Sequence, residues 1–206
     1  VLSLGKRAAC WGANWNDVTA PLTGTFDALS GGKGNTCGLR EDGSVECWGD
    51  ASHGMNEPPD EVFSSISTGA HHSCGVREDQ SISCWGSNDS GQYEPIPDGL
   101  FSEVSVGDPF PCGLRLNGIV RCWGNQNSFL DYSPNCLTCP NQSFTTWAFE
   151  ESLITIEAGD WHLCGLRADR TVACWGEDNH GQSVPPEGEF IALAAGEQHT
   201  CGLRPN

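Results

Sequence analysis

The tripeptide Cys-Trp-Gly occurs five times, beginning at Cys10, Cys47, Cys84, Cys122 and Cys174. Successive copies are 37, 37, 38 and 52 residues apart. A fixed period of this size means stacked supersecondary units, each burying its faces only against its neighbours. The long last step is one ordinary period carrying an insertion of about 15 residues, placed within 125–150.

One whole unit runs over 63–99. It opens with Phe63, Ile66 and Gly69 at three-residue steps, continues through His72-Ser73-Cys74-Gly75-Val76-Arg77, turns, and returns as Ile82-Ser83-Cys84-Trp85-Gly86. The opening recurs as Phe26/Leu29/Gly32, Phe101/Val104/Gly107, Leu153/Ile156/Gly159 and Phe190/Leu193/Gly196. The second element recurs as Cys-Gly-Leu-Arg at Cys37, Cys112, Cys164 and Cys201. Short runs of β-branched and aromatic residues bounded by Gly, Pro and Asp are strands joined by tight turns. Helical periodicity is absent, so the fold class is all-β.

The central hairpin follows from counting. In CGLREDGSVECWG, Cys37 and Cys47 lie ten apart with Asp42-Gly43 near the midpoint, and Asp-Gly is a strong short-loop turn signal. Folding there sets Leu39 opposite Val45 and Cys37 opposite Cys47, a separation that a disulfide spans. The same spacing predicts Cys74–Cys84, Cys112–Cys122 and Cys164–Cys174.

Cys10 and Cys201 remain. The sequence opens with the second half of a hairpin, residues 6–12, and closes with a first half, residues 196–204. Together they complete a fifth unit, predicting a Cys10–Cys201 bridge and a five-bladed β-propeller over 1–206, one domain in which N- and C-terminal strands share a blade. Such closure removes exposed strand edges, and a bridge across nearly the whole chain stabilises by roughly 4–5 kcal/mol in the chain-entropy model. The split blade predicts a complete ring; a solenoid would want capping repeats, and none is visible.

Twelve cysteines read as a disulfide framework from an oxidising compartment, hence a secreted protein. The chain starts at Val1 and its one methionine is Met55, which fits a mature chain freed of a signal peptide. No apolar run approaches the length of a membrane span. Acidic residues number 27 against 10 basic, a formal charge of −17, which repels phosphate backbones and anionic lipid. Nucleic acid and membranes are therefore poor partners, whereas cations or a basic protein are compatible. Asn88 and Asn141 stand in glycosylation sequons.

The motif CGLR-x-DG-x-V-x-CWG, followed by Gly-Gln and prolines, resembles the regulator of chromosome condensation repeat superfamily. Its Cys-rich form is similar to Crinkly-type receptor ectodomains and to the propeller-type β-lactamase inhibitor protein. The resemblance covers the chain except 125–150 and implies a propeller. Members usually have seven blades, so five is a departure. The chromatin and nucleotide-exchange activities of the superfamily belong to reducing compartments and do not fit these cysteines and this charge.

No catalytic residues and no metal site are identified. Cys136-Leu137-Thr138-Cys139 has the spacing of a redox motif or half a zinc site, but an all-β chain lacks the helix start that the first needs, and the second needs two more free ligands. A local Cys136–Cys139 disulfide pinning the insertion is the better reading. His72, His162 and His199 each lie two residues before a repeat cysteine, and His53 and His180 share one loop position, so these read as structural. Glu41-Asp42, Glu78-Asp79 and Asp169 fall at hairpin turns, where Asp bonds the backbone. No nucleophile elbow, phosphate loop, HExxH or EF-hand occurs, so an enzyme is not expected.

Repeat tryptophans Trp11, Trp48, Trp85, Trp123 and Trp175 read as packing between blades. Aromatic residues beyond the repeat are Trp15, Phe110, Phe129, Tyr132, Phe144, Trp147, Phe149 and Trp161, five of them within the insertion. They serve either as the insertion's own small core or as a ligand-binding surface, since loops on a rigid scaffold carry function and aromatics mark docking sites. The expectation is a non-enzymatic binding protein. Similarity to carotenoid-holding propellers implies an elongated apolar pigment on these residues, in a slot or at a homo- or heterodimer seam. A protein-interaction module of inhibitor or receptor-ectodomain type is the alternative, and a lectin a second one.

Overall fold

The computed structural model describes residues 6–12, 23–89, 91–108, 110–124 and 151–205, and the backbone of 146–149. The hairpin arithmetic holds residue for residue. β1 (Ala28–Gly31), β2 (Asn35–Leu39) and β3 (Val45–Gly49) form an antiparallel sheet in which Cys37 faces Cys47 and Leu39 faces Val45. The pattern repeats in β4 (Phe63–Thr68), β5 (His72–Arg77) and β6 (Ile82–Gly86), and in β7 (Phe101–Val106), β8 (Pro111–Arg115) and β9 (Val120–Trp123). β10 (Thr146–Phe149) joins the third sheet as a fourth strand, and β11 (Leu153–Ala158), β12 (His162–Arg167) and β13 (Val172–Gly176) form the next. β14 (Ala192–Ala195) and β15 (Thr200–Leu203) make a two-stranded sheet. Among the described residues there is no α-helix, and hence none able to cross a membrane.

Turn chemistry sets the hairpins. The Asp42 carboxylate accepts from the Ser44 backbone N–H at 3.0 Å, Asp79 from Ser81 at 3.0 Å and Asp169 from Thr171 at 2.9 Å. Gly43 and Gly118 take positive φ, and Gln80 and Arg170 are forced into it at the same position (φ 67° and 69°). Four disulfides staple the paired strands as expected, with Cα atoms 4.0–4.1 Å apart.

Each first strand contributes one large apolar residue over the glycine that follows the repeat cysteine. A Cβ on Gly38, Gly75, Gly113, Gly165 or Gly202 would overlap Phe26, Phe63, Phe101, Leu153 or Phe190 respectively. Trp48, Trp85 and Trp123 cover the same rings, with centroids 5.9, 5.7 and 6.1 Å from Phe26, Phe63 and Phe101. Phe63 and Trp85 then pack on Cys37, Leu39, Val45 and Cys47 of the preceding sheet. The repeat tryptophans are thus the intersheet core, as read from the sequence, except Trp11, which is 88% exposed.

The first strands follow one another in chain order, β1, β4, β7, β11, β14. Their seams share one hydrogen bond: the hydroxyls of Ser30, Ser67 and Ser105 accept the N–H groups of Thr68, Val106 and Ala158 at 2.9, 2.9 and 2.8 Å. Glu157 stands at the corresponding position of the fourth sheet, two residues before its repeat glycine.

The chain ends do not meet as expected. Cys10 and Cys201 are unbridged, and among the described residues β15 pairs with β14 alone. One backbone bond links each return strand to the unit that follows it. Phe63, Phe101, Leu153 and Phe190 donate their N–H groups to the carbonyls of Gly43, Gln80, Gly118 and Arg170, each four residues before a Cys-Trp-Gly cysteine. Phe26 makes the same bond to Lys6, at 2.8 Å. Residues 6–12 thus meet the first sheet as the return strand of a preceding unit meets the next one.

Candidate functional site

The turn after each first strand begins with the repeat glycine, and the next residue projects from that turn. In chain order these residues are Lys33, Ala70, Asp108, Asp160 and Glu197. The turns converge on one depression of about 260 Å³, lined by Lys33, Ala70, Gly107, Gly159, Asp160 and Glu197 among others. Close approach requires the glycines: a Cβ on Gly32, Gly69, Gly107 or Gly159 would press on the carbonyl of the repeat glycine in the next sheet. Backbone bonds continue the ladder, with Asp108 N–H donating to the Asp160 carbonyl at 3.2 Å and Asp160 N–H to that of Glu197 at 3.3 Å.

Asp160 and Glu197 thus line the depression with Lys33, and the charge of Asp108 acts on Asp160 from the turn before. Asp160 is half-buried there, and burial, followed by the charges of Asp108 and Glu197, pushes its carboxyl up to about 6 despite Lys33. Negative charge held in a partly dry rim favours a cation. These residues were missed in the sequence, although the repeat glycines that locate them were found; the signal is the residue after each glycine. Among the described residues no cluster of three or more ligating side chains suits a metal ion.

Deeper in the seams, the residue two before each repeat cysteine is buried: Asn35, His72, Phe110 and His162. His162 Nε2 lies 2.8 Å from the Thr200 hydroxyl of the next sheet. His72 meets a sheet that carries Pro111 at the position of Thr200, both ring nitrogens lack partners, and burial pushes it down to about 4. Phe110, expected among ligand-binding aromatics, is only 2% exposed and shares an apolar cluster with Leu163, its counterpart of Thr200. It is a seam residue and offers no surface to a ligand.

The other expected site residues fare differently. Trp161 is partly exposed beside the fourth sheet. Trp147 and Phe149 lie on β10 in register with Cys122 and Val120, so the insertion extends a sheet. Trp15, Phe129, Tyr132, Phe144, Cys136, Cys139 and Asn141 lie outside the described residues. Asn88 is half-buried, its side-chain oxygen accepting from Tyr93 N–H at 3.2 Å. His53 pairs with Asp89 at 3.1 Å, consistent with a loop-structural role.

A second concavity, of about 410 Å³, opens between the fourth and last sheets and is lined by Val172, Cys174, Phe190, Leu193, Thr200 and Gly202 among others.

Residues 63–92 and 154–182 match the model of the Regulator of chromosome condensation (RCC1) repeat. Two of the five repeats thus read as repeats of this type. The fold is shared with the entire ectodomain of the Physcomitrella patens receptor kinase CR4, at TM-score 0.76 and 25% identity over 97% of this chain and 54% of that one. Human WBSCR16 follows at TM-score 0.74 and 16% identity, covering 90% and 59%. The Crinkly ectodomain of the Arabidopsis thaliana receptor kinase ACR4 aligns at TM-score 0.51 and 24% identity, covering 87% and 77%. The chain spans about half the length of the CR4 ectodomain. None of the curated proteins matches its sequence.

Proposed function

We propose that this RCC1-repeat chain is a protein-interaction module, its five sheets acting as the blades of one domain that binds rather than catalyses. The observation that carries this reading is the acidic depression, lined by Asp160 and Glu197 beside Lys33, with the charge of Asp108 acting on Asp160 from the turn before. The partner is a protein that presents a basic side chain to the rim. Likeness to a receptor-kinase ectodomain supports an interaction role, and four disulfides support a secreted or extracellular setting. The apolar-pigment reading loses Phe110, which the seam has already buried.

The test is fluorescence anisotropy with a short labelled peptide carrying one arginine, against the same peptide with citrulline. Arginine peptide should bind more tightly, Asp160→Asn with Glu197→Gln should weaken it about tenfold, roughly the 1.4 kcal/mol of one charge-assisted contact, and binding should fade as pH falls through 6. Equal affinity for both peptides, or an unaffected double variant, would refute the rim as the site.

A further inference from the structure

We propose that Asn117 is a site of spontaneous chemical modification: the main-chain nitrogen of Gly118 attacks its carboxamide, ammonia leaves, and the residue becomes the aspartate that the other stapled hairpins already carry. Four hairpin turns are equivalent, Arg40 to Ser44, Arg77 to Ser81, Arg115 to Ile119 and Arg167 to Thr171. Their third positions hold Asp42, Asp79, Asn117 and Asp169. In each, the side-chain oxygen accepts the N–H two residues on, for Asn117 from Ile119 at 3.1 Å. Asn117 nevertheless stands apart. It precedes a glycine, in the one Asn-Gly pair of the chain. Ile119 carries no hydroxyl, where Ser44, Ser81 and Thr171 use theirs to bond the aspartate. The turn also gives Arg115 no carboxylate, whereas the charges of Arg40, Arg77 and Arg167 act on those of their own turns.

The geometry supplies what the reaction needs. Asn117 is exposed, so hydroxide reaches the turn and ammonia leaves it freely. The Ile119 N–H sits on Asn117 Oδ1, where negative charge gathers as Cγ is attacked, and a donor placed there lowers the barrier. Gly118, at φ 80°, has no side chain to screen its nitrogen. Attack closes a five-membered imide within one stretch of chain, so no partner has to be brought in. In the first step the Gly118 nitrogen releases its hydrogen bond to the Arg115 carbonyl, gives its proton to hydroxide and bonds to Cγ. The Cγ–Nδ2 bond breaks, and Nδ2 leaves as ammonia with a proton taken from water. In the second step water adds to the imide. Breaking the new Cγ–N bond leaves aspartate on the original main chain; breaking the old peptide bond routes the chain through Cγ as isoaspartate. Either way one water is consumed and one ammonia released. The fold favours the first. Gly118 accepts the Leu153 N–H on its carbonyl at 3.0 Å, and Ser152 and Leu153 fill the space beside it. An extra backbone carbon has no room there, whereas aspartate keeps this latch between the third sheet and β11.

Ageing the folded protein in mildly alkaline buffer made with ¹⁸O-water tests this. Trypsin, cutting after Arg115 and Arg121, releases residues 116–121 as one peptide for mass spectrometry. That peptide should take up one solvent oxygen about tenfold faster, or more, than the peptide carrying the exposed Asn179, which precedes a histidine. Aspartate should be the main product, with a minor isoaspartate fraction that only the imide can yield. Conversion no faster than at Asn179, or isoaspartate as the main product, overturns the proposal. Gly118→Gln copies the Asp79-Gln80 turn, which the second sheet builds at φ 67°, and screens the attacking nitrogen. It should slow conversion about tenfold, and an unchanged rate overturns main-chain attack.

Discussion

Gly75 sits beneath the Phe63 ring, and a methyl group there has no room. Gly75→Ala should therefore destabilise by about 1–3 kcal/mol through overpacking, read as a lowered urea midpoint. Gln80 is the opposite case, a side chain at φ 67° where the equivalent turns hold Gly43 and Gly118. Gln80→Gly removes left-handed strain of roughly 1–2 kcal/mol and should raise the midpoint, less what the glycine loses in the unfolded chain. His72 adds a pH dependence. Its folded pKa of about 4 lies below its unfolded value near 6.5, so its contribution is complete above pH 6.5 and is lost as pH falls towards 4. His72→Phe, copying the Phe110 solution, should lower the acid midpoint followed by circular dichroism; coincident midpoints would contradict this. At this scale the sequence was legible where local chemistry decides, as in the Asp42 turn. It misled at Phe110, because its partner Leu163 lies in the next sheet and only the fold reveals that the two match.

Elements were the most legible level. Ten-residue cysteine spacing about a tight turn leaves one sensible register, and four hairpins adopt it. The insertion was less readable, since nothing local says that residues 146–149 extend the third sheet at β9. Seams between elements carry a second titration. Glu157 stands where earlier seams place serine, and burial, with the charge of Glu103, raises it to about 7. Raised pKa means the proton-bound form is the stable one: this contribution is complete below about pH 4.5 and is lost as pH rises through 7. Glu157→Ser should therefore raise the thermal midpoint relative to the unmodified chain increasingly from pH 4.5 to 8. A constant offset across that range would show that the carboxyl is not the cause.

At the scale of the molecule, a formal charge of −17 loads a set of small sheets with self-repulsion. Raising sodium chloride from about 0.02 to about 0.5 M shortens the Debye length severalfold and should raise the melting temperature; a fall would mean that ion pairs such as Arg77–Glu61 outweigh the repulsion. At Cys10 and Cys201 the two half-hairpins are complementary in sequence and unbridged in the structure. Two complementary half-hairpins say that they fit each other, but not whether sheet curvature brings them together.

The arginine ending each Cys-Gly-Leu-Arg or Cys-Gly-Val-Arg stretch reaches the lead-in segment 16 or 17 residues upstream: Arg40 to the Thr23 carbonyl, Arg77 to Glu61, Arg115 to the Asp98 carbonyl, Arg167 to Glu151 and Arg204 to the Glu187 carbonyl. The grip at Arg167 keeps its spacing although an insertion precedes it. Foreign peptide spliced ahead of such a buckle is mechanically insulated from the unit that follows, which makes the stretch between β9 and Glu151 the natural berth for grafted recognition loops.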